Sequence, residues 1–282
     1  MGILDSISHS SVRTGIRVVV AGVEGIGKTT LACNAPKPLL IPLENGFSGV
    51  TVSKTAMLEH YEHVLMLLDE IIQQCSAQQF PYQTLVFDSA TALERVIHTA
   101  VLESDPGYAK GNKKGITMTS ALGGYGKAYE CANEYFGEFL AKCDTLAVHY
   151  GINIVLTCHV FSSQVLDPSA GEYNSMDILL HSPKNQKTYG KREMLTQWAD
   201  IVGYLHEPVF VSEGKNMNKG VSANQGRILA LNRTPGYVAK NRFGVVNNIN
   251  LPKVGGWNFL AAEVYTSTNG TVDIYNRDEV AA

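Results

Sequence analysis

A chain of 282 residues, 45% hydrophobic and 17% charged with a net charge of −3, has the composition of an ordinary globular protein and room for one large domain with a substantial core. No apolar run approaches the ~18 residues that a membrane-spanning helix needs, so a bilayer partner is not expected. The five cysteines, Cys33, Cys75, Cys131, Cys143 and Cys158, form no C-x-x-C pair, which argues against a zinc site and a secreted disulfide framework and points to a reducing cytoplasm.

After an N-terminal segment of about thirteen residues, Ile16–Ala21 is a short β-branched strand. It leads into Gly22-Val23-Glu24-Gly25-Ile26-Gly27-Lys28-Thr29-Thr30, a complete G-x-x-x-x-G-K-[ST] phosphate loop. Its glycines let backbone N–H groups curl around phosphates, Lys28 can reach the β and γ oxygens, and the Thr29 hydroxyl can hold Mg²⁺. A helix from Thr29 to Asn34 completes the strand–loop–helix context and turns its N-terminus to the anion. Strands follow at Pro38–Leu43, Thr84–Phe87, Ile152–Thr157, Ile201–Leu205 and Arg227–Leu231. Helices are expected over about Ala56–Gln74, Ala90–Leu102 and Ala128–Tyr150, the first burying a stripe of Tyr61, Leu65, Leu68 and Ile72. Strands alternating with helices predict an α/β fold with a mainly parallel twisted sheet.

Three polar residues at strand ends complete a hydrolytic set. Leu85-Val-Phe-Asp88 is an apolar strand ending in the carboxylate that orients a Mg²⁺ hydration shell, although Asp is also a good helix N-cap. The carboxyl ends of strands in such a sheet share one ligand crevice, which brings in Glu44 after the second strand, to activate water, and His159 after the fourth, to sense the γ-phosphate. The segments Asp105–Tyr125 and Ser162–Tyr189 fit no element, and loops of that length are usually functional or disordered. The first ends in Gly123-Gly-Tyr-Gly-Lys127, which lacks the Ser or Thr of a phosphate loop and reads as a glycine turn into a helix. Basic residues cluster at Lys110, Lys113 and Lys114, at Lys184, Lys187, Lys191 and Arg192, and along the acid-free stretch from Gly214 to Ala262. Each is a solvated loop charge or a phosphate contact.

Taken together, the phosphate loop with its Glu at the third position and double Thr, Glu44, Phe87-Asp-Ser-Ala-Thr-Ala-Leu93, the polar residue at 159 and Val238-Ala-Lys-Asn-Arg242 resemble, in order, the bacterial RecA recombinase family. With Tyr125-Gly-Lys127, His159, Gln197-Trp-Ala-Asp200 and Ala239-Lys-Asn-Arg242, the chain is more similar still to phage-encoded RecA-like single-strand-annealing ATPases of the Sak group and related phage AAA-type nucleotide-binding proteins. The resemblance spans about residues 14–260 and leaves a C-terminal tail, 261–282. It implies a RecA-like P-loop NTPase core with antiparallel C-terminal strands, ATP and Mg²⁺ as cofactors, Glu44 as the water-activating base, and Lys240 and Arg242 reaching a neighbouring subunit's ATP in a head-to-tail ring or filament. It also turns Lys110, Lys113, Lys114, Lys184, Lys187, Lys191 and Arg192 into candidate single-stranded DNA contacts, with a single-strand-binding protein as a further candidate partner and a bacterial cytoplasm as the setting. The chain departs from bacterial RecA at His159, where RecA has Gln, and has no counterpart of its C-terminal domain. DNA-dependent annealing or recombination is the leading expectation. A helicase-loader-like ATPase acting on a protein partner is the alternative, and a small-molecule kinase lacks a visible acceptor site.

Overall fold

The computed structural model describes residues 14–46, 49–111, 115–168, 171–183, 189–213, 218–222 and 226–278. In chain order these give β1 (Arg17–Gly22), α1 (Lys28–Ala32), β2 (Pro38–Pro42), β3 (Ser53–Lys54), α2 (Tyr61–Ser76), β4 (Thr84–Asp88), α3 (Ala90–Ser104), α4 (Pro106–Ala109), α5 (Lys127–Tyr150) and β5 (Asn153–Cys158). The second half contributes β6 (Val160–Asp167), β7 (Gly171–Ile178), α6 (Lys191–Trp198), β8 (Ile201–His206), β9 (Val209–Glu213), β10 (Asn218–Ser222), β11 (Arg227–Ala230), β12 (Lys240–Asn241), β13 (Ile249–Leu251) and α7 (Trp257–Ser267).

A nine-stranded sheet runs β13-β11-β8-β1-β5-β4-β2-β3, with β12 also paired to β8. From β8 to β3 all neighbours are parallel, whereas β11, β12 and β13 join antiparallel. The expected mainly parallel sheet with antiparallel C-terminal strands is therefore present. Central strands β4 and β5 are buried at every residue, as both faces are covered by helices. Alternation along β1 sends Val19 and Ala21 to a core shared with α2, α3 and α5, and Val18 and Val20 to a second core shared with α1 and α7. Two hairpins, β6–β7 and β9–β10, form separate two-stranded sheets.

Several expectations need correction. The buried stripe of α2 is Tyr61, Val64, Leu68 and Ile71, with Leu65 and Ile72 only partly covered, because the helix presents the 61/64/68/71 row to α3 and α5. Part of the unassigned segment before residue 190 is the β6–β7 hairpin, in register from Val160↔Ile178 to Asp167↔Gly171. The chain beyond 260 packs on the body: α7 crosses that boundary, and the buried Trp257 ring N–H donates to the Ile274 carbonyl at 2.8 Å. Among the described residues no helix is long and apolar enough to cross a membrane.

Candidate functional site

The carboxyl ends of β1, β2, β4 and β5 converge on a cleft of about 560 Å³ lined by Glu24, Gly25, Gly27, Lys28, Thr29, Thr30, Glu44, Asp88 and His159, among others. Four separate stretches of sequence, all read as site residues, thus meet at one place. A slightly larger groove of about 620 Å³ lies elsewhere, between α2, α3 and α5. It is lined by Glu59, Glu62, Glu103 and Glu138 with no Lys or Arg, so it would repel phosphates.

The loop owes its shape to glycine at two points. Gly22 lies so close to β8 that a Cβ there would sit 2.6 Å from the Leu205 carbonyl oxygen, and Gly27 has φ 90°, which side chains rarely adopt. Lys28, only 7% exposed, donates from Nζ to the carbonyls of Gly22 at 3.0 Å and Val23 at 2.9 Å. Burial lowers its pKa, and the nearby carboxylates Asp88, Glu44 and Glu24 oppose that shift. The ammonium therefore sits in the cleft where a polyphosphate could take over its bonds.

Asp88 ends β4 and does not cap the following helix, because the N-cap of α3 is Ser89, whose hydroxyl accepts from the Ala92 N–H. The Asp88 carboxylate instead accepts from the Thr29 hydroxyl at 2.8 Å and from the Thr157 hydroxyl. A hydroxyl and a carboxylate held side by side are the hard oxygen donors that Mg²⁺ prefers, and Mg²⁺ usually takes few protein ligands beside phosphates and water. Thr29 and Asp88 thus fit the ion. Among the described residues no group of three or more His, Cys, Asp or Glu is arranged as an all-protein metal cage.

Glu44 is the hub of the other side. Its Oε1 accepts from Ser89 Oγ at 2.6 Å and lies 2.9 Å from His159 Nε2, while Oε2 accepts from Arg95 at 2.7 Å. Burial pushes this carboxyl up, but the bonds from Ser89, His159 and Arg95 outweigh it and hold the pKa below the ordinary glutamate value. Glu44 is consequently ionised at neutral pH, as a base must be. From His159 a chain of bonds leads outward through the backbone: the His159 main-chain N–H donates to Thr91 Oγ1 at 3.1 Å, Thr91 Oγ1 donates to the Leu179 carbonyl at 3.2 Å, and the Leu179 N–H returns to the His159 carbonyl at 2.8 Å. His159 and Leu179 are the two feet of the β6–β7 hairpin, so the carboxylate is wired to the base of a projecting element.

Lys240 and Arg242 lie elsewhere. Lys240 pairs in register with Val202 and Val202 with Val19, toward the end of β1 away from the phosphate loop. Lys240 Nζ donates to the carbonyls of Thr196, Gln197 and Ala199, and Arg242 bonds the Gln197 carbonyl and the Asp200 carboxylate. Both cations therefore close the C-terminal end of α6, where free carbonyls and the helix dipole favour positive charge. That contact joins the Gln197–Asp200 and Ala239–Arg242 stretches, which sequence reading had singled out separately.

The candidate DNA residues divide. Lys110 is exposed, whereas Lys113, Lys114, Lys184 and Lys187 lie outside the described residues. Lys191 is a correction: at 0% exposure it is paired with Glu94 at 3.3 Å inside the α3–α5–α6 contact and has no free surface for a phosphate. Arg192 is a second correction, since its guanidinium is committed to Asp177, Glu193 and Ser182. The Gly123–Lys127 stretch is, as read, a glycine turn, with Gly126 the left-handed N-cap of α5.

Sequence reasoning missed Thr157, Ser89, Arg95 and Arg227. Thr157 and Ser89 carried a signal, being polar residues within or beside apolar strand ends. Arg227 reads in sequence as the start of a strand and as one charge in a basic stretch, yet it is 5% exposed and touches the phosphate loop. A family model for an AAA domain matches residues 14–243, which include the loop, Glu44, Asp88, His159 and Arg242. A search of curated proteins gave no match.

Proposed function

The chain belongs to the AAA domain family of P-loop ATPases, and from that premise we propose that it hydrolyses Mg·ATP and uses the cycle to control its hold on single-stranded DNA, in a phage-type annealing or recombination role. In this reading Lys28 and the loop amides hold the phosphates, Thr29 and Asp88 hold Mg²⁺, whose charge neutralises the polyphosphate, and Glu44 takes the proton from an attacking water. Arg95, whose side chain is 62% exposed, can swing away from Glu44 and free an oxygen for that proton. The observation that carries the coupling in this proposal, though not the DNA contacts themselves, is the bond chain Glu44–His159–Thr91–Leu179. It gives the γ-phosphate end of the cleft a mechanical connection to the foot of the β6–β7 hairpin.

DNA binding draws support from exposed groups flanking α5. Tyr125, 98% exposed beside the exposed Lys127, offers a base-stacking surface, and Lys110 a phosphate contact. Head-to-tail assembly, with Lys240 and Arg242 released from α6 toward a neighbour's ATP, belongs to the same proposal. The test is phosphate release and salt-dependent binding with a single-stranded oligonucleotide; neither stimulation nor salt-sensitive binding would remove DNA from the account. A second reading, an ATPase that remodels a protein partner, is favoured by one observation. From Val160 to Pro183, where the β6–β7 hairpin projects, there is no Lys or Arg, while Asp167, Glu172 and Asp177 all fall there. Stimulation by a basic protein and not by an oligonucleotide would select it.

A further inference from the structure

Arg227 opens β11 and turns its guanidinium under the phosphate loop. Nη1 donates to the carbonyls of Gly27 at 3.0 Å and Ile26 at 3.2 Å, Nε to the carbonyl of Pro252 at 3.0 Å, and Nη2 to that of Gly255 at 2.8 Å. Every one of these partners is a neutral carbonyl, and no carboxylate pairs with Arg227 among the described residues. The approach depends on Gly27, because a Cβ there would sit 2.4 Å from Nη1. Gly27 therefore serves two surfaces, one toward the cleft and one toward the arginine.

We infer that Arg227 is a positioning residue for nucleotide phosphates, setting the Gly27 and Lys28 amides in their binding orientation and adding an uncompensated positive charge behind the loop. The reasoning is geometric. A trans peptide is planar with its C=O and N–H opposed, so anchoring the Ile26 and Gly27 carbonyls on the arginine side turns the Gly27 and Lys28 N–H groups to the opposite side, which faces the cleft. The amides are thereby oriented before a ligand arrives, and binding does not have to order them. The same guanidinium holds Pro252 and Gly255, immediately before α7. A segment beyond the matched residues 14–243 thus braces the loop from below.

This inference rests on the reading of the loop as an ATP site, and the experiment separates the two. Calorimetric titration of Mg·ATP and Mg·ADP into wild type, Arg227→Met and Arg227→Lys is run well below each protein's melting temperature, with kcat measured at saturating ATP. Loss of several bonds to a charged group predicts affinities weakened about tenfold to a hundredfold for both nucleotides in Arg227→Met, because loop amides cradle the α and β phosphates that both share. Arg227→Lys, which keeps a cation but not the fork, falls between, and kcat at saturation stays within about threefold of wild type. A merely structural arginine would lower the melting temperature and the active fraction while leaving the dissociation constants of the folded protein unchanged. That outcome overturns the inference. If Arg227→Met does not fold, Arg227→Lys carries the same comparison. A wild-type protein that binds neither nucleotide defeats the ATP reading and this inference with it.

Discussion

Replacing Glu44 with Gln separates chemistry from stability more sharply than any other single change. The amide oxygen of Gln can still accept from Ser89 and lie against His159 Nε2, which in the wild type are 2.6 and 2.9 Å from Oε1. What is lost is the acceptor facing Arg95, since an amide NH₂ cannot take that proton. Arg95 is largely exposed, so this ion pair is worth about 1 kcal/mol or less, equivalent to a melting shift of about 2 to 4 °C. A carboxylate serving as general base contributes about 10² to 10⁴ in rate, or roughly 3 to 5 kcal/mol of barrier. Phosphate release should therefore fall by at least about a hundredfold while fluorescent-nucleotide affinity and melting temperature scarcely move. Turnover within about tenfold of wild type would show that the water is activated elsewhere and would refute the assignment.

Three further outcomes follow from the same geometry. Lys28→Ala removes the one ammonium buried in the cleft and should weaken Mg·ATP binding by at least about two orders of magnitude, read by calorimetry, because the phosphates lose a desolvated charged donor; unchanged affinity would contradict the phosphate-loop assignment. His98 has a pKa pushed down to about 4 by burial first, with Lys191 and His181 adding to it, so it folds neutral. The unfolded chain then binds the extra proton between pH 6.5 and about 4, and stability should decline across that window by roughly 2 to 3 kcal/mol. His98→Gln should flatten that slope in thermal melts, and an unaltered slope would place its origin elsewhere. Glu44 is held below its ordinary value by hydrogen bonds that outweigh its burial, so the stability they give is present above the unfolded pKa and lost as pH falls through the folded one. The acid limb of kcat/KM, which reports the free enzyme, should accordingly lie below the ordinary glutamate value when initial rates are read before the protein unfolds.

The parts of the molecule that were legible in sequence are those whose signal is local. Six strands and four helices stood at or near the places read from the sequence, with α2 starting at Tyr61, five residues after the expected Ala56, because buried parallel strands such as Thr84–Asp88 and amphipathic helices such as Ala90–Ser104 write their environment into consecutive residues. The convergence of the phosphate loop, Glu44, Asp88 and His159 was legible for a topological reason: polar residues at the carboxyl ends of neighbouring parallel strands share one crevice. The β6–β7 hairpin was not legible, since its strands mix polar and apolar residues with little burial and its register is set by pairing. Burial of single charges was equally hidden. In sequence Lys191 and Arg227 look like any surface cation, and only the fold supplies Glu94 to the one and four carbonyls to the other. The same holds for Lys240 and Arg242, whose intrachain partners are the last turn of a helix that sequence reading did not assign.

The central proposal is that ATP turnover at Glu44 responds to single-stranded DNA and that the response passes through His159 at the foot of the β6–β7 hairpin. Its most direct test is steady-state phosphate release by wild type and His159→Ala, each with and without a single-stranded oligonucleotide. The account predicts that DNA raises the wild-type rate and that His159→Ala retains nucleotide binding but loses the DNA response. A wild-type rate indifferent to DNA, or a His159→Ala protein stimulated as strongly as wild type, would contradict it.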